Sequence, residues 1–245
     1  MATLTFYPAI DLKDGVCVRL VQGKMDDATI FNINPVAQSL LFAQAGCKWL
    51  HLVDLNGAFV GQSVNSEVIK RIIDNSELSI QLGGGIRDLN TIEKWLSRGV
   101  KRVILGTVAV NTPSVVEEAC REFGNSILVA IDARHGEVAV EGWSENTHIQ
   151  DIDLARRFED VGVGAIIYTD ITRDGVMGGP NTSAALRLAN KVSIPLIISG
   201  GVSSMEDLKL IKNISNGQFE GVISGRAIYE KKVDVAEAVA LLSLD

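Results

Sequence analysis

Eight short apolar runs, each followed by an amphipathic stretch, recur along this chain. They are LTFYPAI, WLHLV, LSIQL, RVIL, ILVAI, AIIYT, PLIIS and GVIS. Runs of Val, Ile and Leu without polar alternation suit strands buried on both faces, as in a parallel sheet covered by helices. The stretches between them, such as NSEVIKRIIDN, LNTIEKWLSRG and SSMEDLKLIKN, carry Asn, Ser, Thr or Asp near their starts. Several end in Gly, where helix caps require it. Alternation of this regularity over 245 residues, with no linker, predicts one domain spanning the chain. The fold class is α/β, a single (β/α)8 TIM barrel. A doubly wound open sheet is the competing arrangement.

The same pattern appears twice. QLGGGIRDLNTIEKWLSRGVKRVILGTVAV in the first half and IISGGVSSMEDLKLIKNISNGQFEGVISGRAI in the second both read strand, glycine pair, helix, strand, glycine. Gly84 corresponds to Gly200, Gly106 to Gly225 and Asp11 to Asp132, which predicts duplicated half-barrels of about 1–122 and 123–245. Gly84 and Gly85 follow the third strand; Gly200 and Gly201 follow the seventh. Lacking a Cβ, they let the backbone approach a phosphate closely, while the following helix presents free N–H groups. Gly106 with Thr107, and Gly225 with Arg226, supply the other wall of each site. Glycines that only turn the chain are the plainer explanation, but the matched recurrence at equivalent barrel positions weakens it. Two such cradles predict a substrate phosphorylated at both ends.

Asp11 and Asp132 end the first and fifth strands, on opposite sides of an eight-stranded ring. Two carboxylates facing across a pocket mouth can divide acid and base work if their surroundings separate their pKa values. Asp54 and Asp170 end the second and sixth strands, where they serve either as further catalytic or orienting groups or as loop braces. Asp174 follows on the sixth loop, and Thr169 is placed to hydrogen-bond a carboxylate. VCVRLVQG and EVAVEGW read as short extra strands after Asp11 and Asp132, and so as lids or substrate grips. They carry Arg19, within reach of a substrate anion, and Trp143, able to stack on a planar heterocycle. Trp49 and Trp95 sit at packing positions. For His51, burial and substrate contact remain equally open.

The formal charge of −7 and pI near 5.1 give no basic field for a nucleic-acid backbone. An anion must therefore be held locally. Cys17, Cys47 and Cys120 form no CxxC pair, and His51, His135 and His148 show no metal-ligand spacing, so neither a disulfide framework nor a metal site is expected. With no signal-like N-terminus and no apolar run of spanning length, the expectation is a cytoplasmic protein without membrane contact.

Taken in order, PAIDLKDGVCVRLVQG, HLVDLNGA, QLGGGIR, AIDARHGEVAVEGW, YTDITRDG, SGGVSS and GVISGRA resemble the HisA family. These are the phosphoribosylformimino-aminoimidazole carboxamide ribotide isomerases of histidine biosynthesis. The resemblance spans essentially the whole chain. It implies a monomeric barrel, no cofactor, and an Amadori rearrangement of a small-molecule aminoaldose with a ribose phosphate at each end. On this resemblance Asp11 is the general base and Asp132 the general acid, with Asp174 competing for the acid role. Thr169 would orient a carboxylate or substrate hydroxyl, and Arg19 and Trp143 would grip the substrate. The cyclase subunit of imidazole glycerol phosphate synthase is the nearest rival. Added activity on phosphoribosylanthranilate and a non-catalytic sugar-phosphate-binding barrel are the others. Two departures from the family pattern stand out: GTVAV after the fourth strand, and Gly178-Gly179 in the sixth loop.

Overall fold

The eight apolar runs are strands, and they lack polar alternation because both of their faces are buried. The computed structural model describes residues 3–20 and 27–243. In chain order the strands are β1 (Thr5–Lys13), β2 (Val16–Arg19), β3 (Thr29–Asn32), β4 (Trp49–Asp54), β5 (Ser79–Gly83), β6 (Arg102–Leu105), β7 (Ile127–Arg134), β8 (Glu137–Val140), β9 (Glu145–Gln150), β10 (Ala165–Asp170), β11 (Leu196–Ser199) and β12 (Phe219–Ser224). Strands β1, β4, β5, β6, β7, β10, β11 and β12 pair in parallel in that order. Strand β12 then pairs with β1, from Thr5 opposite Gly221 to Pro8 opposite Ser224. That last ladder closes the ring and excludes the open sheet.

The helices are α1 (Pro35–Gln44), α2 (Leu55–Val60), α3 (Ser66–Asn75), α4 (Leu89–Ser97), α5 (Thr107–Asn111), α6 (Pro113–Phe123), α7 (Asp151–Arg157), α8 (Thr182–Ala189), α9 (Met205–Ile214), α10 (Arg226–Tyr229) and α11 (Val235–Ser243). Their starts are capped as the sequence predicts. Asn34, Asp88 and Asn181 each accept a backbone N–H of the first turn, and Ser204 with Asp207 forms a capping box on α9. The short helices α2, α5 and α10 were not legible from periodicity. Each is too brief to show a 3.6-residue repeat.

The expected extra strands after Asp11 and Asp132 are β2 and β8, each antiparallel to the barrel strand before it. Each pairs in turn with a further strand, β3 or β9. Residues 21–23 of the VCVRLVQG run lie outside the described residues.

Two apolar layers result. The larger fills the space between ring and helices; the smaller fills the lumen with Tyr7, Ala9, Ile104, Leu128, Ala165, Ile167, Ile197 and Ile223. At the strand N-terminal end the lumen is plugged by Arg102. Its Nη1 donates to Glu220 Oε1 at 2.5 Å while its guanidinium stacks 4.6 Å from the Trp49 ring centroid. Tyr7 donates to the same Glu220 oxygen. This end is sealed, so any site belongs at the opposite mouth, where barrel enzymes place theirs.

At that mouth, two strand-end aspartates serve as braces. Asp54, 1% exposed, accepts from the backbone N–H groups of Gly57, Val64 and Asn65 and from the Ser63 and Asn65 side chains, all at 2.7–3.0 Å. Asp170 does the same for the sixth loop, accepting from Thr172 N–H and hydroxyl and from Asn181 Nδ2. Removing Asp54 strands several buried donors at once, and each unsatisfied group costs about 1–3 kcal/mol. Asp54→Ala should therefore lower stability by on the order of 3 kcal/mol, read as a fall in the urea midpoint with the slope unchanged.

Candidate active site

Alternation along the strands aims the mouth residues inward. Tyr7, Ala9 and Asp11 follow one another on the lumen face of β1, as do Leu128, Ala130 and Asp132 on β7, and Ala165, Ile167 and Thr169 on β10. Small alanines below the acids leave room, and a cavity of about 220 Å³ opens there. It gathers Asp11, Arg19, His51, Gly84, Gly85, Gly106, Thr107, Asp132, Trp143, Thr169 and Asp174. Strands β1 and β7 stand four places apart in the ring of eight, so Asp11 and Asp132 face each other.

Arg19 joins the acids. Its Nη1 lies 2.5 Å from Asp11 Oδ2 and its Nη2 lies 3.8 Å from Asp174 Oδ1. The side chain is buried, and among the described residues Nε has no hydrogen-bond partner. Burial pushes the Asp11 carboxyl up to about 6; the Arg19 charge opposes that rise and the Asp174 charge adds to it. Burial also raises the pKa of Asp174 against the pull of Arg19. Asp132 is raised by burial and by Asp174, and lowered by hydrogen bonds from the Trp143 and Thr169 side chains. Such donors favour the ionised form. His51 pairs through Nδ1 with Gln81 Nε2 at 3.0 Å. Burial, with the Arg19 charge, pulls its pKa to about 3, so the ring is neutral near pH 7.

The glycine pairs have a steric origin in each half. A Cβ on Gly84 would fall on the Asp54 carbonyl, and one on Gly85 on the Gly57 carbonyl. In the other half a Cβ on Gly200 would press on the Asp170 carbonyl, and one on Gly201 on that of Gly179. All four have positive φ, between 72° and 106°. Each braced loop thus lies directly against the glycine turn of the next strand. Gly200, Gly201, Gly225 and Arg226 line a smaller recess beside the main cavity, together with Arg19 and Asp174. The Arg19 guanidinium lies directly over the Cα of Gly225, where a Cβ would displace it. Arg226 turns partly away, donating to Glu230 Oε1 and to the Gly175 carbonyl, each at 2.5 Å.

On the opposite wall, the tip between β8 and β9 sits over Thr107. Glu141 N–H donates to Thr107 Oγ1 at 3.0 Å, and Glu141 Oε2 lies 3.0 Å from Arg87 Nη2. Arg87, in the cavity lining, was not singled out from the sequence. Its place just beyond the glycine triplet of QLGGGIR was the available signal. Trp143, expected to stack on a ligand, here has its side chain close enough to Asp132 to oppose the rise that burial causes in that carboxyl. Among the described residues, no group of three or more His, Cys, Asp or Glu is disposed to hold a metal ion. Likewise, no helix is long and apolar enough to cross a membrane.

The sequence profile of a family described as "Histidine biosynthesis protein" matches residues 5–234. The chain belongs to the histidine biosynthesis protein family. Family relatives named 1-(5-phosphoribosyl)-5-((5-phosphoribosylamino)methylideneamino)imidazole-4-carboxamide isomerase align over nearly the full length of both chains. The protein of Ruegeria sp. (strain TM1040), numbered isomerase 2, is 57% identical over 98% of this chain and 99% of its own. That of Paramagnetospirillum magneticum is 56% identical over 96% and 98%. That of Rhodospirillum rubrum is 54% identical over 98% and 100%. The resemblance carried by the motifs is thus borne out.

Within this family member, Arg19 is, among the described residues, the one cation facing Asp11 at hydrogen-bond distance, and its charge favours the carboxylate. Arg19→Met should raise the Asp11 pKa above about 6. Gly225→Ala, which pushes the guanidinium aside, should move it the same way by less. Carboxyl chemical shifts followed through a pH titration would show both; a fall in either variant would contradict the geometry.

Proposed function

We propose that the chain is an intramolecular aldose–ketose isomerase of histidine biosynthesis. Its substrate would be a phosphoribosylformimino aminoimidazole carboxamide ribotide, converted from aminoaldose to aminoketose. The observation that carries this reading is the set of buried carboxyl groups, Asp11, Asp132 and Asp174, gathered around Arg19 at a mouth flanked by two glycine-lined walls. The isomerase names of the full-length relatives support it over the cyclase reading.

An Amadori rearrangement needs two proton movements. An acid protonates the furanose ring oxygen, the C1–O bond breaks and a Schiff base forms. A base then removes the C2 proton, and the enolaminol tautomerises to the ketone. Each positioned acid or base typically contributes about 10²–10⁴-fold. Asp11 is the base: at pH 7 it is mainly ionised, yet a pKa of about 6 leaves it far stronger than an ordinary carboxylate. For the acid, Asp132 and Asp174 are the candidates, and burial raises both. The Trp143 and Thr169 side chains oppose that rise at Asp132 while the Asp174 charge adds to it, and the Arg19 charge opposes the rise at Asp174. Thr169 then orients Asp132, and release of Trp143 would free Asp132 to meet the substrate.

The two phosphates would lie on opposite walls, one at Gly84, Gly85, Gly106 and Thr107, the other at Gly200, Gly201, Gly225 and Arg226. This placement follows from proposed duplicated half-barrels, whose braced loops and glycine turns recur at matching positions. On this reading the isomerase would act as a monomer in the cytoplasm.

A base must be unprotonated to act, so kcat/KM for the purified protein on the aminoaldose should rise with pH and level off above about 6. Asp11→Asn should cost about 10³-fold or more in kcat with little change in KM. Of Asp132→Asn and Asp174→Asn, the variant that removes the fall in rate on the alkaline side identifies the acid. Full activity in Asp11→Asn would sink the mechanism.

A further inference from the structure

The tip between β8 and β9 contains three consecutive residues in the left-handed region: Glu141 (φ 53°), Gly142 (φ 62°) and Trp143 (φ 72°). Two of them carry side chains, for which this conformation is unfavourable. The tip keeps it because four contacts hold it down. Glu141 N–H is bound to the Thr107 hydroxyl and the Glu141 carboxylate to Arg87, and the Trp143 side chain lies against Asp132. Gly142 lies against the Phe59 ring so tightly that a Cβ there would sit 2.9 Å from Cζ. Ser144 adds an internal bond to the Glu141 carbonyl at 2.7 Å.

Two of these contacts engage groups that a ligand anion on this wall would use. Thr107 and Arg87 line the cavity, and with the tip down the Arg87 charge is answered by a carboxylate from the protein itself. We propose that Glu141 is an internal anion that latches the strained tip by occupying Arg87, and that a phosphate displaces it and frees the tip with Trp143. Glu141 is thus a positioning residue: it acts on Trp143 through the tip and touches no reacting atom. The inference rests on reading the Gly84–Thr107 wall as a phosphate site.

The energetics suit a switch. Both side chains of the ion pair are about one-third exposed, and pairs of that kind are weak and screened. A divalent phosphate competes with one carboxylate for the same guanidinium and can form paired hydrogen bonds to it. Release of the left-handed residues offsets part of the cost of opening. The latch therefore needs only a modest difference in affinity to move the population.

The test uses the whole chain labelled with ¹⁵N. It has three tryptophans, so the Trp143 indole signal is assigned with Trp143→Phe and followed while inorganic phosphate is added. The Trp143 signal of the unaltered protein should move on saturation. In Glu141→Gln it should already lie toward that position without phosphate, with half-saturation at a roughly two- to fivefold lower concentration, since the competing pair is weak. Arg87→Gln breaks the pair from its other side and should move the phosphate-free signal the same way, which keeps the test intact if one variant folds poorly. In turnover, Glu141→Gln should lower KM with kcat retained, whereas a merely structural Glu141 would lower kcat. The proposal is overturned if phosphate leaves the Trp143 signal still, or if Glu141→Gln binds phosphate no more tightly. Absence of any turnover, with these shifts present, would instead refute the isomerase reading and leave the latch standing.

Discussion

Pairing of β12 with β1 is the constraint on which the rest depends. Once that ladder closes, strand direction, tilt and side-chain alternation are common to all eight barrel strands. Every second residue must then point into the lumen. The Arg102–Glu220–Tyr7 plug beside Trp49 fills one end, so the other end collects the residues at the strand C-termini. Asp11 and Asp132 face each other because four places in a closed ring of eight is a diameter. An open sheet would have put them far apart on a surface.

Charge is handled locally. The chain is acidic overall, yet on the proposed reaction its mouth would accept anions and hold its carboxyl groups above their ordinary pKa. Burial supplies the second condition by raising Asp11, Asp132 and Asp174 together. Arg19 supplies the balance: one buried guanidinium between two of these acids keeps Asp11 from rising further. The third acid is tuned differently, by neutral donors from Thr169 and Trp143. Similar residues thus acquire different proton affinities from their neighbours, as a division into base and acid requires.

Much of this was legible in the sequence. The unpatterned apolar runs meant strands buried on both faces, and the recurrence of Asp11, Asp132 and the glycine pairs pointed to one mouth with two similar walls. Other features were not. Asp54 and Asp170 read equally well as catalytic or bracing groups, and only the donors wrapped around them decide for bracing. The glycine pairs read as phosphate turns, but their immediate cause is the carbonyl of the braced loop beneath each one. Arg87 and Glu141 are far apart in the chain, and no local pattern signals an ion pair between separate loops.

The sequence by itself determined the eightfold alternation of strands and helices, the family, and which residue types stand at the strand ends. Those are properties of period and local spacing, which hydrophobic burial and capping translate directly into structure. Tertiary structure alone decided which aspartates hold loops and which face the cavity. It also decided how far each acid is raised, and that the β8–β9 tip rests on Asp132, Thr107 and Arg87. Those properties depend on distances between residues remote in sequence, and both burial and Coulomb interaction are set by that geometry rather than by the chain's local pattern.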